Sequence, residues 1–296
     1  MIYVYLFCGV LSLLLVVEML FRLTHRDVPL FSFRNFIETK LDILQSRYPA
    51  AYDEQLGYIP RPGYSGTGNK WEKLVTILEH GVRSNGREAP LSEASPVLCV
   101  GDSFTFGDLV SDSDTWPSFL ETAIRQPVLN AGVFGYGIDQ IVLRAEQLLP
   151  LFHPQTLVLG FIPSDIKRTH YKVRTGVNKP FFQLSGDGEL QAMNVPVPPT
   201  KPKKEDLGWF RSLFGRSFFV DWCMKHTGHY NWWNLGRWGS ELVHRDGVEV
   251  SARLLHRIDV HCKEQAISLV VLIQYNKRHI LNPDSKDMQL VRSLLE

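Results

Sequence analysis

The sequence predicts an α/β protein whose parallel sheet is covered by helices on both faces. Short, wholly apolar segments alternate with longer segments of helical period, which is typical of parallel strands joined by helices. The apolar fraction of 44% and the charged fraction of 21% are ordinary for a globular protein. A length of 296 residues suits one domain with additional segments.

The strands and helices of this pattern follow one another from residue 96 onward. Each predicted strand is a short aliphatic run, and each predicted helix carries its apolar residues on one face. The predicted strands are 97–100, 128–130, 156–160 and 269–273. The predicted helices are 116–125, 137–149, 252–265 and 286–296. The clearest helical face consists of Ile138, Ile141, Val142, Ala145 and Leu148.

Residues 2–21 form a nearly continuous apolar run at the start of the chain. About twenty helical residues extend about 30 Å, which matches the apolar thickness of a bilayer. Because the run has neither a basic start nor a small-residue exit, we expect an uncleaved single-pass transmembrane anchor, residues 1–26, rather than a signal peptide. We expect Glu18, which lies near one end, to reach the membrane interface. The positive-inside rule alone places the main domain in the cytoplasm, because basic residues follow the run: Arg22, Arg26, Arg34 and Lys40.

Two further segments flank the regular pattern. Residues 27–95 are predicted to be a lead-in, with an amphipathic helix over 35–47 and two short strand-like pieces, around 74–78 and at Val82. The main domain, 96–296, contains an insertion over 167–250, in which 194–205 is predicted to be an exposed loop. The insertion holds five of the seven tryptophans, which either stack on sugar rings or form a small core, and we favour the core: Trp209, Trp222, Trp232, Trp233 and Trp238.

The charge and the cysteines exclude several classes of function. The 32 basic and 31 acidic residues give a net charge of +1, so general nucleic-acid binding is disfavoured. The four cysteines are scattered and form no Cys-x-x-Cys pair, which disfavours a disulfide framework and a zinc site. We expect neither a metal nor a cofactor.

The candidate catalytic residues follow the first strand directly, in Gly-Asp-Ser-Phe-Thr-Phe-Gly at 101–107. Ligands of parallel sheets bind at the carboxyl ends of the strands, where Ser103 is expected. A serine on such a turn is suited to nucleophilic attack, with its own N–H available to an oxyanion. The alternative is a serine that only caps the following helix.

These residues resemble a known enzyme family. The segment 101–107, followed by Asp-Thr-Trp-Pro at 114–117, resembles the first conserved block of the SGNH (GDSL) hydrolases. Asn-Ala-Gly-Val-Phe-Gly-Tyr-Gly at 130–137 is similar to the second block. The lead-in segments 56–63 and 81–83 resemble those of membrane-anchored bacterial members. The resemblance covers roughly residues 50–290 and implies a three-layer, flavodoxin-like sheet with the SGNH hydrolase fold.

The resemblance also implies roles for individual residues. Ser103 becomes the nucleophile and first oxyanion donor, and Gly132 the second donor. Ser164 stands where the third block usually has asparagine; a hydroxyl can still donate one hydrogen bond there, with a shorter reach. The residues expected to support the site are Asp102, Asn130 and Asp165.

The family's general base is the element that the sequence lacks. The family takes its base from an Asp-x-x-His block after a fifth strand, and no such spacing occurs here. We expect His279, which follows the fourth strand, to be solvated, and neither His170 nor His153 is placed as a base by pattern. Three explanations stay open: a truncated reading frame, which we favour, a natural loss of catalysis, or a base of another kind.

The sequence is compatible with two functions. The first is a membrane-anchored serine esterase or acyltransferase acting on an ester substrate, an acylated carbohydrate such as an O-acetyl surface glycan. The second is a non-catalytic, membrane-tethered protein that binds a glycan or a partner. The resemblance implies an extracytoplasmic main domain, against the charge rule, and we favour the resemblance.

Overall fold

A computed structural model gives the structure of the chain. It describes residues 1–25, 30–31, 35–37, 48–69, 71–86, 95–174, 177–200, 207–227, 229, 233, 241–243 and 246–296. The chain divides into two compact units. The N-terminal unit comprises Met1–Arg47 and Lys201–Gly239, and the sheet unit comprises Tyr48–Thr200 and Ser240–Glu296.

The described helices and strands of both units are numbered together in chain order. The helices in chain order are α1 (Ile2–Thr24), α2 (Ser103–Phe106), α3 (Trp116–Ile124), α4 (Ile138–Phe152), α5 (Pro163–Arg168), α6 (Gly208–Phe214), α7 (Phe218–His226), α8 (Gly247–Glu264), α9 (Lys277–Leu281) and α10 (Lys286–Leu295). The strands are β1 (Ala50–Asp53), β2 (Gly57–Pro60), β3 (Ser65–Gly66), β4 (Val75–Thr76), β5 (Val97–Val100), β6 (Val128–Asn130), β7 (Thr156–Phe161), β8 (Tyr171–Arg174), β9 (Val177–Asn178), β10 (Phe181–Leu184), β11 (Leu190–Met193), β12 (Glu241–Leu242) and β13 (Ser268–Ile273).

A four-stranded parallel sheet is the centre of the sheet unit. Its strand order is β13-β7-β5-β6, and all neighbours run parallel. The predicted α/β class and its four strands are therefore confirmed, with β7 one residue longer and β13 one residue earlier than expected. The four predicted helices correspond to α3, α4, α8 and α10, with boundaries shifted by up to five residues.

Alternation along the strands explains why helices cover both faces. Leu98, Leu157 and Leu159 face a core shared with α4 and α8. Cys99 and Val158 face the opposite side, where Trp116 and Leu120 of α3 pack. Successive side chains of a strand point to opposite faces, so buried strands need apolar residues at every position. The predicted apolar face of α4 is confirmed, because its members are all fully buried: Ile138, Ile141, Val142, Ala145 and Leu148.

The edge strand β13 is only partly covered. Val270, Val271 and Leu272 are exposed by 48%, 43% and 37%, whereas Leu269 and Ile273 pack against the core. The part of the sheet that the structure describes has β13 as its outer strand on this side.

The described parts of the insertion 167–250 contain both strands and helices. It contributes β8 to β12, α6 and α7, and its residues 201–239 belong to the N-terminal unit. Residues 194–200 have no regular structure, but they are not simply exposed. Val197 is buried, its N–H donates to the carbonyl of Glu54, and its carbonyl accepts from the hydroxyl of Tyr52 at 2.6 Å. The rest of the predicted loop, 201–205, lies outside the described residues, as do residues 38–47 of the predicted lead-in helix.

The tryptophans of the insertion do not form one exposed cluster. Trp233 is fully buried with Ile37 and Leu207, and its indole N–H donates to Asp221 at 2.9 Å. Trp209 is 76% exposed, and Trp222 stacks on His226. Trp233 therefore belongs to a small core, as the sequence analysis favoured, while Trp232 and Trp238 lie outside the described residues.

The apolar run at the start of the chain is a helix, but the predicted transmembrane anchor is not supported. Across the residues that the structure describes, no helix is both long and apolar enough to cross a membrane. Glu18 does not extend toward an interface as we expected. Its carboxylate accepts hydrogen bonds from the Ser217 hydroxyl and from the N–H groups of Phe218 and Phe219, at the start of α7, and pairs with Arg22 at 2.6 Å. Arg22, the Ser217 hydroxyl and the first N–H groups of α7 therefore stabilise the Glu18 charge together.

Candidate active site

The carboxyl edge of the parallel sheet brings three predicted segments to one place. Val100 of β5 pairs with Leu159 of β7, and Cys99 pairs with Asn130 of β6. Beyond the strands, the N–H of Val133 still donates to the carbonyl of Gly101 at 2.9 Å. The turns after β5, β6 and β7 therefore begin side by side, and they carry Ser103, 130–137 and Ser164.

Ser103 is the first residue of α2, directly after the N-cap residue Asp102. Oδ1 of Asp102 accepts from the N–H of Phe104 at 2.9 Å, and Oδ2 accepts from the Ser103 hydroxyl at 3.4 Å. The backbone N–H of Ser103 has no acceptor among the described residues. Since first-turn N–H groups of a helix lack intrahelical partners, this N–H is available to a ligand.

Close packing of glycines fixes the turn that presents Ser103. A side chain at Gly101 would lie 2.1 Å from Oγ1 of Thr105 and 2.7 Å from the carbonyl oxygen of Gly160. A side chain at Gly132 would lie 2.3 Å from the backbone nitrogen of Phe106. Both contacts are far shorter than a normal van der Waals separation. Only glycine allows β5 and the β6 turn to approach α2 this closely.

Gly132, the predicted second oxyanion donor, does not offer a free N–H. Its N–H donates to Oδ1 of Asn130 at 3.2 Å, because Asn130 is fully buried and turns its amide back onto the following turn. The Asn130 amide nitrogen lies 3.4 Å from the carbonyl oxygen of Phe106. Asn130 and Gly132 thus join the β6 turn to α2, which is a supporting role for both residues.

Gly135, three residues further on, presents its N–H instead. It has φ of +83°, which glycine adopts readily, and its N–H has no acceptor in the described part of the chain. Its carbonyl accepts from Nη1 of Arg174 at 2.7 Å, and the Tyr58 hydroxyl donates to the adjacent carbonyl of Phe134 at 2.7 Å. Burial raises the pKa of Tyr58 to about 12, so this hydroxyl keeps its proton. The sequence signal was the second glycine of 130–137, which lay inside the quoted block.

Ser164 lies in the first turn of α5, after Pro163. It is half-buried, and its hydroxyl has no hydrogen-bond partner among the described residues. Asp165, the next residue, is fully buried, and its Oδ2 accepts from the N–H of Ile162 at 2.9 Å. Asp165 therefore holds the start of α5, which presents Ser164 at the same edge as Ser103.

The solved structures to which the chain is similar align with about a quarter of its length. No protein-family model and no curated protein matches it. Among solved structures, the crystal structure of AlinE4, an SGNH-hydrolase family esterase, aligns at 26% identity with a TM-score of 0.24, over 26% of this chain and 45% of that one. Two single-substitution variants of AlinE4 align at 26% and 24% identity, each over 27% of this chain and 46% of theirs, with TM-scores of 0.24. This chain spans less than half the length of that esterase, and such TM-scores carry no argument about fold or activity.

Two arginines that sequence reasoning did not single out as site residues hold the site together. Arg83 is buried, donates to the carbonyls of Phe106 and Gly107 at 2.7 and 2.6 Å, and pairs with Asp112 at 2.8 Å. Arg168 lies 2.6 Å from Asp165 and 3.3 Å from Asp102. Arg83 lay inside the quoted lead-in segment 81–83, and Arg168 lay three residues after Asp165. Nothing in the sequence distinguished either arginine from the charged residues that are common on any protein surface.

Three buried ionisable groups, Asp102, Asp165 and Arg168, set the electrostatics of the Ser103 turn. Burial raises the pKa of Asp102, and Arg168 opposes that rise. Burial also raises the pKa of Asp165 well above its ordinary value. Burial alone favours the neutral form of Arg168, but the two carboxylates outweigh it and raise its pKa. The site therefore keeps a guanidinium between two carboxyl groups.

The histidines singled out from the sequence are engaged elsewhere. His279 is buried; its Nδ1 lies 3.4 Å from the N–H nitrogen of Asn276, and its Nε2 lies 3.6 Å from Asp287. Nε2 of His170 accepts from the N–H of Gly247 at 3.2 Å. His153 caps the end of α4, at the opposite edge of the sheet from Ser103. The expectation that His279 is solvated is wrong, because its ring packs inward against the Asn276 turn.

The described residues contain no group of three or more His, Cys, Asp or Glu side chains arranged to hold a metal ion. The expectation that the protein uses no metal or cofactor stays a prediction.

Proposed function

We propose that this chain is a serine ester hydrolase or acyltransferase of the SGNH type, with Ser103 as its nucleophile. The observation that carries the proposal is the position of Ser103. It is the first residue of a helix at the carboxyl edge of a parallel sheet, and its backbone N–H is free among the described residues. The same residue can therefore supply the attacking oxygen and one oxyanion donor.

The proposed reaction proceeds through an acyl-enzyme. Oγ of Ser103 bonds to the acyl carbon while its proton passes to a base, and the N–H groups of Ser103 and Gly135, with the Ser164 hydroxyl, stabilise the oxyanion. The ester bond then breaks and the alcohol leaves with a proton. Water attacks the acyl-enzyme to release the carboxylic acid, or a second alcohol takes the acyl group. We assign the proton acceptor to a group outside the described residues.

The substrate and the membrane attachment are finer parts of the same proposal. An O-acetylated carbohydrate as substrate is supported by the family resemblance alone. Attachment through residues 1–26, with the sheet unit outside the cytoplasm, rests on the sequence alone.

Hydrolysis of p-nitrophenyl acetate by the full chain tests the nucleophile. We expect kcat of Ser103→Ala to fall by at least about 10³-fold, because the attacking atom is lost. Ser293→Ala is the matched control, since Ser293 is exposed on α10 and should keep wild-type kinetics. Equal rates for wild type and Ser103→Ala would remove Ser103 from the mechanism.

A non-catalytic binding protein is the second candidate, and one observation favours it. The Ser103 hydroxyl points to Asp102 rather than to a histidine, and the rings of His170 and His279 are engaged elsewhere. Binding of a partly acetylated xylo-oligosaccharide, followed by calorimetry, distinguishes the two. This candidate predicts binding that is unchanged by Ser103→Ala and weakened by Trp209→Ala. Trp233 is unsuitable for the test because it lies in a core.

A further inference from the structure

Arg168 contacts all three turns that meet at the candidate site. Its Nη1 donates to Oδ2 of Asp102 in the β5 turn at 3.3 Å, and to the carbonyl of Tyr136 in the β6 turn at 2.7 Å. The same nitrogen lies 2.6 Å from Oδ1 of Asp165 in the β7 turn. One guanidinium nitrogen therefore links the Ser103, Gly135 and Ser164 segments.

The chain around Arg168 is built to hold it in this position. A side chain at Gly137 would lie 2.7 Å from Cβ of Arg168, so only glycine at the start of α4 lets the arginine approach. The Arg168 carbonyl accepts from the buried ammonium of Lys179 at 3.3 Å, and Lys179 also pairs with Asp139. The Arg168 side chain is 13% exposed and Asp102 is fully buried, so the contact is poorly screened by solvent.

We propose that Arg168 is a positioning residue, which fixes Asp102 and through it the orientation of the Ser103 hydroxyl. The proposal rests on the function proposed above. Asp102 uses Oδ1 to cap α2 and Oδ2 to accept from both Ser103 and Arg168. Without Arg168, Asp102 loses the donor that holds Oδ2 beside the nucleophile, and the three turns lose their common contact.

The ionisation of Asp102 reports on this role. Burial raises its pKa, and Arg168 is the group that most strongly opposes the rise. Among the described residues, Asp102 also interacts electrostatically with Asp165 on α5, Tyr58 on β2 and Arg174 on β8. Removal of the Arg168 charge therefore raises the Asp102 pKa further, whereas lysine in its place preserves most of the effect.

The test compares Arg168→Met, Arg168→Lys and the control Arg253→Met, all in the full chain. Arg253 is suitable because it is a half-exposed residue of α8 whose ion-pair partner among the described residues is Glu249, one helical turn away. The Asp102 pKa is measured by carboxyl-carbon NMR, with the signal assigned by Asp102→Asn. We expect the pKa to rise in Arg168→Met and to return toward the wild-type value in Arg168→Lys.

Kinetics on p-nitrophenyl acetate complete the test. We expect kcat of Arg168→Met to fall by about 10²-fold with little change in KM. The acid limb of its pH–kcat profile should move to higher pH, and Arg168→Lys should recover part of both losses. An Asp102 pKa that is the same in all variants, or equal kcat values for Arg168→Met and the control, overturns the role of Arg168. Absence of Ser103-dependent activity in the wild type overturns the proposed function instead, while the NMR result still decides whether Arg168 controls Asp102.

Discussion

Replacement of Gly132 by alanine tests the packing that fixes the nucleophile turn. The added Cβ would lie 2.3 Å from the Phe106 nitrogen and 2.7 Å from the Thr105 carbonyl carbon, both of them backbone atoms of α2. Backbone cannot rotate away as a side-chain end can, so α2 has to retreat by roughly 1 Å to reach an ordinary contact distance. We expect a loss of about 1–3 kcal/mol in the free energy of unfolding. A displacement of that size at Ser103 also costs about 10²-fold in kcat.

Urea denaturation followed by circular dichroism, together with hydrolysis of p-nitrophenyl acetate, measures both effects. Gly68→Ala is the matched control, because a side chain at Gly68 would meet nothing within 4 Å. We expect the control to match the wild type within about 0.5 kcal/mol. If Gly132→Ala is as stable and as active as Gly68→Ala, the close approach of the β6 turn to α2 is refuted.

Three further predictions concern Ser164, Asp165 and the edge strand β13. Ser164→Ala should lower kcat by up to about 10²-fold, because an oxyanion donor is lost, while Ser164→Asn should match or exceed the wild type; steady-state kinetics decide this, and an unaffected Ser164→Ala contradicts the donor role. Burial raises the pKa of Asp165 in the folded state, so the folded protein favours its protonated carboxyl. The stability that this preference provides is fully present below the unfolded-state pKa and is lost as pH rises through the folded-state pKa. The unfolding free energy of the wild type should therefore fall relative to that of Asp165→Asn between pH 4 and pH 7, and parallel pH profiles would contradict this. Val270→Thr on the exposed part of β13 should change stability by less than about 0.5 kcal/mol, whereas Leu159→Ala in the core should cost about 2–5 kcal/mol; equal costs would show that β13 is covered.

The parallel sheet and its helices were predictable because their signals are local. Buried strands such as 97–100 need an apolar residue at every position, and the helix that became α4 needs one apolar face. The position of Ser103 followed from the same logic, since a turn after a parallel strand lies at the carboxyl edge. These features depend on residues that are close together in the sequence.

The remaining features depend on contacts between distant residues. Arg168 reaches Asp102 across 66 positions of sequence, and the charge pattern around either residue gives no sign of it. The choice between Gly132 and Gly135 depends on where the Asn130 amide turns, which no propensity specifies. The association of residues 201–239 with 1–47 likewise depends on tertiary packing, as in the contact of Glu18 with the start of α7.

The most direct test of the account is to trap the acyl-enzyme. The full chain is mixed with p-nitrophenyl acetate, quenched in acid, digested and mapped by mass spectrometry, with Ser103→Ala treated in parallel. The account predicts an acetyl group on Ser103 of the wild type and none on the corresponding peptide of Ser103→Ala. Hydrolysis without acetylation of Ser103, or the same acetylation pattern in both proteins, would contradict it.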